Sequence, residues 1–356
     1  MMTRGTGYIH MDRFATAPPA GGAGSTMPPL VSGAPNMHPE APANVRRAGG
    51  EYQEQPAQAV RRQASRNPGT IGLFIIQDAS HNRIYEDDLF YGAIVGAIIS
   101  QCAERGYQTL ITILDVSDVT PLLRLYEQKR IDAGLLISWS DVQDIVDQVS
   151  RAGFVIGVIN QNNVTQSATV LPAPYLDNRR SAYEATRYLL ELGHRDVAII
   201  TGPTGQPCSS ERLAGFLDAA LGQGLEVPDS RIWCGDFTEE AGAAAAIHWL
   251  EADDLPAAVF CSNDLMAYGL LKVLRQHQVA VPDRLSVVGF DDLIISRYTC
   301  PPLTTMSIPR TEMAGYVTNR LIHQLENPED AYPLPVFRAK LIVRESCRAV
   351  RIPDFA

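Results

Sequence analysis

From Thr70 onward, segments with the pattern of buried strands alternate with segments of helical pattern, and this alternation limits the possible folds more than any other feature. TIGLFIIQ (70–77) is a nearly continuous apolar run rich in β-branched residues, as expected of a strand buried on both faces. Residues 90–105 repeat apolar side chains at helical spacing and are followed by Gly106, a common helix C-terminal signal. This order predicts a parallel sheet with helices on both faces. The next predicted elements are strands 107–114, 132–138 and 154–160, and helices at about 118–130 and 141–152.

The same pattern then restarts after a predicted helix at about 179–192. The second series consists of strands 196–202, 231–235, 257–262 and 285–290, and helices at about 209–222, 239–251 and 264–277. Two such series predict an α/β protein with two doubly wound parallel-sheet lobes.

The last predicted elements, after residue 300, are too few for a third domain. They are a strand at 303–308, a helix at about 310–325 and strands around 334–344. We expect them to pack back on the two lobes, so that the chain crosses between lobes more than once. The predicted lobes are 70–192 with 308–332, and 193–307 with 333–349. A cleft between them, at the carboxyl ends of the strands, is where open α/β sheets bind ligands.

The first 69 residues differ in composition from this α/β body. Eighteen of these 69 residues are Gly or Pro and their net charge is +3, whereas 33 of the remaining 287 are Gly or Pro and the net charge is −13. A basic arm rich in helix and strand breakers therefore precedes an acidic globular body. This asymmetry excludes a uniformly basic nucleic-acid coat protein, a collagen-like repeat and a wholly disordered chain.

The sequence gives no sign of a membrane segment, a metal site or an enzyme motif. No apolar run approaches the roughly 20 residues of a membrane helix, no export signal is visible, and the six cysteines are scattered, so we expect a cytoplasmic protein without membrane contact. The phosphate-loop, dinucleotide-binding, nucleophile-elbow and zinc-protease motifs are absent. We therefore expect no catalytic residue, cofactor or metal. His194, at a helix-to-strand turn, is interpreted as a structural cap. Asp291 and Asp292, which end a strand, are interpreted as residues of ligand binding or hinge packing rather than as a catalytic pair.

Six segments of the body carry distinctive motifs, namely LELGHRDVAIITGP (190–203), SSERLAGFLDA (209–219), GDF (235–237), VFCSNDLMAYGLLKVL (259–274), VPDRLSVVGFDD (281–292) and PPLTTM (301–306). In their order and spacing these segments resemble the LacI/GalR family of bacterial transcription regulators, and the resemblance covers about residues 70–348. The resemblance implies a fold like that of periplasmic binding proteins, a homodimer, and a small-molecule effector between the lobes, most often a sugar. Because fold alone does not decide function, the site residues carry the rest of the prediction.

Several residues match effector-contacting positions of this family. Arg212 corresponds to the main ligand-binding arginine, Asp291 to a carboxylate that accepts from ligand hydroxyls, and Asn263 to an amide contact. Asp264 is expected to cap the next helix. The remaining effector candidates are Phe237, an aromatic platform, Phe90 and Tyr91 in the wall of the first lobe, and Ser138 and Trp139 at the end of its third strand.

Five of these candidates also have a plain structural interpretation. The three phenylalanine and tyrosine candidates could be core aromatics, because burial is the default for such side chains. Arg212 could form a salt bridge on the surface, and Asp291 could cap the end of its strand.

The arm aligns with the family's helix-turn-helix headpiece and hinge, but with damaging departures. Pro28 and Pro29 follow Thr26 in the recognition helix, where each proline costs about 3 kcal/mol or more and removes a backbone donor. Gln63 replaces the hinge leucine that wedges into the minor groove, and a glutamine unstacks bases poorly. The DNA-contact candidates are Thr26, Arg61, Arg62 and Gln63.

The sequence therefore leaves two principal hypotheses. The first is a ligand-responsive transcription regulator, a homodimer that binds a mono- or disaccharide and DNA. The alternative is a sugar-binding module that no longer recognises DNA and acts by sequestration or by forming mixed dimers, its arm solvated and largely disordered. An extracellular sugar-binding protein is disfavoured because no export signal is visible.

Overall fold

The computed structural model describes residues 69–77, 89–138, 141–159, 169–171, 174–327 and 335–350, all within the unit Pro68–Ala356. Two groups of predicted site residues lie outside these ranges, namely Trp139 and the DNA-contact candidates Thr26, Arg61, Arg62 and Gln63. No helix in the described ranges is both long enough and apolar enough to cross a bilayer.

The first half of the described chain forms a five-stranded parallel sheet of order β2-β1-β3-β4-β5. Its strands are β1 (Thr70–Gln77), β2 (Gln108–Asp115), β3 (Ala133–Ile137), β4 (Ile156–Ile159) and β5 (Val170–Leu171), and its connecting helices are α1 (Tyr91–Glu104), α2 (Thr120–Glu127) and α3 (Gln143–Arg151).

The second sheet has the order β13-β11-β10-β9-β7-β8, in which only the edge strand β13 is antiparallel. Its strands are β7 (Val197–Thr201), β8 (Ile232–Cys234), β9 (Ala258–Cys261), β10 (Ser286–Asp291), β11 (Thr304–Ser307) and β13 (Lys340–Ile342). The associated helices are α4 (Asn178–Glu191), α5 (Pro207–Gly222), α6 (Glu239–Glu251) and α7 (Asp264–Gln276).

The predicted α/β fold with two parallel sheets is confirmed, and the long predicted elements are present with ends shifted by a few residues. The sequence did not predict β5 or β6 (Tyr175–Leu176), which pairs in parallel with β12 (Val336–Phe337). Strands of two residues are too short to show a hydrophobic period.

Hydrophobic side chains fill both faces of each sheet, as burial of parallel strands requires. Along β1, Phe74 and Ile76 pack into one cluster, whereas Ile71 and Leu73 pack into the cluster on the opposite face. Two further clusters cover the faces of the second sheet. Full burial of a side chain such as Phe74 contributes about 2–3 kcal/mol.

The chain crosses between the sheets more than once, as expected. After β11 it forms α8 (Arg310–Glu326), which packs on α1 and the first sheet, and then returns to place β13 in the second sheet. Helix α4 packs on α5 and the core of the second sheet. We therefore propose a lobe boundary ahead of α4, near residue 174, rather than at residue 192.

Candidate ligand-binding site

The strand order of each sheet creates a crevice at the carboxyl ends of its central strands. In the first sheet β1 lies between β2 and β3, and in the second β7 lies between β8 and β9. The chain connections from the central strand to its two neighbours run over opposite faces of the sheet. A crevice therefore opens at this switch point, where α/β proteins bind ligands. Gln77 and Ser138 lie at the first switch point, and Thr201 and Ser262 at the second.

Arg212 is buried at the second switch point, with 7% of its surface exposed. Helix α5 begins with Pro207 at its first position and turns Ser209, Arg212 and Phe216 inward at helical spacing. The Arg212 Nε donates to Asn178 Oδ1 at 3.0 Å, Nη1 donates to the Ser262 carbonyl, and the guanidinium lies 3.9 Å from the centre of the Phe290 ring. This burial contradicts the surface salt-bridge interpretation.

The second terminal nitrogen of Arg212, Nη2, has no hydrogen-bond partner within the described ranges. No ion pair within 4.0 Å joins Arg212 to a carboxylate in the same ranges. The guanidinium is thus held by two bonds and a ring, with one nitrogen left to donate to a ligand.

Asp291 ends β10 with only 6% of its surface exposed and a φ of 121°, a conformation that is strained for a residue with a side chain. Burial raises the pKa of its carboxyl to about 8, while Arg212 and Arg310 act in the opposite direction and Asp264 adds to the increase. Asp291 and Arg212 therefore influence each other without forming an ion pair. A ligand hydroxyl that accepts from the arginine and donates to the carboxylate fits this arrangement.

Asp264 fixes the loop that follows Asp291. It is fully buried and accepts from Leu293 N at 2.8 Å, Ser296 Oγ at 2.6 Å and Thr305 Oγ1 at 2.6 Å. Burial raises the pKa of Asp264 to about 6, and these bonds act against the increase. The expectation that Asp264 caps the helix is wrong, because its carboxylate is used by this loop.

Asn263 is the residue that caps α7. Its Oδ1 accepts from Met266 N at 2.9 Å, and its Nδ2 donates to the Phe237 carbonyl at 2.8 Å. Both ends of the amide therefore bond within the protein, and the second bond positions the backbone of Phe237.

Phe237 lies over Gly202, next to Arg212. A Cβ at Gly202 would lie 2.1 Å from Phe237 Cζ and 2.4 Å from Ser209 Oγ, so a larger residue here would displace both side chains. Phe237 itself has a φ of 71°, in the left-handed region. Its ring centre is 5.8 Å from the Arg212 guanidinium carbon, so an aromatic surface adjoins the cation.

The candidates of the first lobe lie at the start of α1 and the end of β3. Tyr91 is 1% exposed, its hydroxyl lies 3.5 Å from the Ser138 carbonyl oxygen, and Ser138 is also buried. Phe90 is only partly buried, meets Tyr91 edge to face at 5.2 Å and packs against core clusters of both sheets. Burial fits the core interpretation of Tyr91, while Phe90 lies where the lobes meet.

The structure adds polar groups that the sequence analysis did not select. Gln77 Nε2, Ser209 Oγ and Ser262 Oγ are buried and have no hydrogen-bond partner within the described ranges. An unsatisfied buried polar atom costs about 1–3 kcal/mol, which a polar ligand could recover. The signal for Gln77 and Ser262 was their place at the end of central strands. Within the described part of the chain, no group of three or more His, Cys, Asp and Glu could hold a metal.

His194, interpreted from the sequence as a cap, instead contacts the C-terminal segment. It is 6% exposed, and its Nε2 lies 3.1 Å from the Arg348 carbonyl oxygen. Burial lowers its pKa. The histidine therefore ties the turn before β7 to the end of the described chain, away from the switch points.

Comparisons with known proteins agree with the fold. Residues 186–347 match the family model described as a periplasmic binding protein-like domain. The chain is similar to the transcriptional regulator AscG of Escherichia coli (strain K12), with 30% identity over 333 residues that cover 92% of this chain and 95% of AscG. It is also similar to the repressor CytR of the same strain, with 30% identity over 82% of this chain and 84% of CytR.

Solved structures show the same relationship. The crystal structure of E. coli AscG superimposes with a TM-score of 0.66 at 30% identity, covering 79% of this chain and all of that chain. A complex of the regulator CelR with cellobiose gives a TM-score of 0.67 at 27% identity, covering 88% of this chain and 92% of that chain. Fold, motif order and full-length similarity lead to one conclusion: this chain belongs to the LacI/GalR family of transcriptional regulators.

Proposed function

We propose that the protein is a ligand-responsive transcriptional regulator whose effector is a mono- or disaccharide bound between the two lobes. The observation that carries this proposal is the pair Arg212 and Asp291. Both side chains are buried, and the charge of Arg212 acts to lower the pKa of Asp291, but the two do not form an ion pair. Sugar hydroxyls donate and accept at once, so they suit a carboxylate beside a guanidinium. Phe237 adds a surface for the apolar face of a sugar ring, and the relative CelR is known in complex with cellobiose.

A thermal-shift screen of mono- and disaccharides, with purine bases and nucleosides as the competing class, tests the ligand proposal. Arg212→Ala and Asp291→Ala should lose the response of the wild-type chain. Arg179→Ala is the matched control, because Arg179 pairs with Asp218 on the exposed surface. The ligand site is wrong if no compound stabilises the wild type, or if both site variants respond as the wild type does.

DNA binding and homodimer formation belong to the same proposal. Residues 70–356 make up 287 of the 356, or 81% of the chain, so an alignment with AscG that covers 92% includes part of the arm. This supports an arm descended from a DNA-binding headpiece. A gel-shift with the full chain and its own upstream DNA, over increasing salt, should give a specific complex that Arg61→Ala weakens.

The second candidate is a sugar-binding regulator that no longer recognises DNA, and Pro28, Pro29 and Gln63 favour it. This candidate predicts only nonspecific, salt-sensitive complexes in the gel-shift, together with an unchanged response to sugars. Sedimentation velocity with and without an intact paralogue distinguishes a homodimer from a mixed dimer.

A further inference from the structure

Arg310 occupies the crossover between the lobes. It is the first residue of α8, which packs on α1 and the first sheet, and it follows β11 of the second sheet by three residues. Its side chain is half-buried. A long cation at this point can reach groups of both lobes.

The Arg310 guanidinium connects backbone carbonyls on the two sides of the cleft. Nη1 donates to the Phe90 carbonyl at 3.4 Å, and Nη2 donates to the Asp292 carbonyl at 3.2 Å. Its central carbon also lies 5.1 Å from the centre of the Phe90 ring. Phe90 immediately precedes α1 of one lobe, and Asp292 follows the candidate ligand carboxylate of the other.

The planar geometry of the Arg310 guanidinium and its positive charge have separate effects at this contact. The planar fork holds its terminal nitrogens at a fixed spacing, so both bonds persist only over a narrow range of separations between the two carbonyls. The charge also acts on Asp291, alongside Arg212, Asp264 and Tyr268. A change in charge or ligand contact at Asp291 therefore changes the forces on the same side chain that connects the lobes.

We propose that Arg310 is a positioning residue that couples the carboxylate of Asp291 to the angle between the two lobes. The proposal rests on a ligand cleft between the lobes, but it concerns the ligand-free protein. In that state Arg310 restricts the separation of Phe90 and Asp292. A ligand that engages Asp291 and shifts the loop after β10 would then carry the first lobe with it through α8.

The test measures the distance between the lobes and the titration of Asp291 in the ligand-free full chain. Labels on non-natural amino acids at the exposed positions Gln128 and Gln223 leave the native cysteines intact and report the distance by electron-electron double resonance. The titration uses carbon-13 aspartate, with the Asp291 signal assigned from Asp291→Asn. Arg105→Met is the control, because Arg105 joins α1 to α8 through Asn319 and Glu326 within one lobe.

Arg310→Met should widen the distance distribution and raise the midpoint of Asp291 by about 1 pH unit, because an opposite charge is lost. Arg310→Lys should widen the distribution and leave the midpoint nearly unchanged, because it retains the charge but not the fork. Arg105→Met should change neither. If Arg310→Met does not fold, the distance distribution of Arg310→Lys alone tests the proposal.

Distributions of both Arg310 variants that match the wild type, or a midpoint that stays unchanged in a folded Arg310→Met, would overturn the proposal. The sugar screen can fail without affecting these measurements, so the two proposals are tested separately.

Discussion

Replacement of Asp291 by asparagine should make the stability of the protein less dependent on pH. In the native protein burial raises the pKa of Asp291 to about 8, compared with about 4 for an aspartate in an unfolded chain. Between these values the native state binds more protons than the unfolded state, so the free energy of unfolding falls as the pH rises. The asparagine variant lacks this contribution because its amide does not titrate.

The size of the effect follows from the shift. One group that is protonated in the native state and ionised in the unfolded state contributes about 1.4 kcal/mol per pH unit, so the interval from pH 5 to pH 8 gives at most about 4 kcal/mol. Asp264 is present in both proteins, so most of its own pH dependence cancels in the comparison. The free energy of unfolding of the variant minus that of the wild type should therefore be several kcal/mol larger at pH 8 than at pH 5.

Urea unfolding at pH 5, 6, 7 and 8, followed by fluorescence and circular dichroism, measures this difference. Asp253→Asn is a matched control, because Asp253 is exposed and also has a positive φ, 49°. A difference between wild type and Asp291→Asn that stays constant from pH 5 to pH 8 would show that Asp291 ionises like a solvent-exposed aspartate. A native pKa below about 4 would also give a constant difference in this interval, so a constant difference refutes the raised pKa in either case.

Three further outcomes follow from the same contacts. Sugar affinity, measured by calorimetry, should rise up to tenfold per pH unit between pH 6 and pH 8 and then level off, because ligand hydroxyls donate to ionised Asp291. Tighter binding at low pH would mean that the protonated carboxyl donates instead. Arg212→Met should lower the free energy of unfolding by about 2–4 kcal/mol, because the bonds to Asn178 and Ser262 are lost. The loss should be larger at pH 8 than at pH 5, because the attraction to ionised Asp291 is also lost, and equal losses at both pH values would contradict this. Gly289→Ala should destabilise the protein by about 1–3 kcal/mol, because the new Cβ would lie 2.3 Å from Asp264 Oδ1. A melting experiment measures this effect, and an unchanged melting temperature would refute the contact.

The sequence predicted the long elements well because each carries a strong local signal. The run at 70–77 and the helical spacing after Phe90 depend only on neighbouring residues, and the observed strand and helix start and end within a residue or two of the predictions. The same local reasoning assigned the cap of α7 to Asp264, where Asn263 is the cap. Two adjacent polar residues have similar capping propensities, and only the tertiary position of the Asp264 carboxylate decides between them.

Some residues of the candidate site were predicted from the sequence, and others were found only in the structure. Arg212 and Asp291 were selected from motifs, and the structure buries both, Arg212 beside the Ser262 carbonyl and Asp291 at the carboxyl end of β10. Gln77, Ser209 and Ser262 were not selected, because an isolated serine or glutamine has no pattern that distinguishes a site from a surface. Arg310 was also missed, because its importance comes from contacts 220 residues apart in the chain.

The sequence by itself determined the family, the two doubly wound lobes and the contrast between a basic arm and an acidic body, because these depend on motif order, hydrophobic period and composition. The tertiary structure alone decided which polar groups lie buried without partners, which carboxylate holds the loop after β10, and which cation connects the lobes. Those properties depend on distances between residues far apart in the chain, and on burial, which sets the cost of each charge.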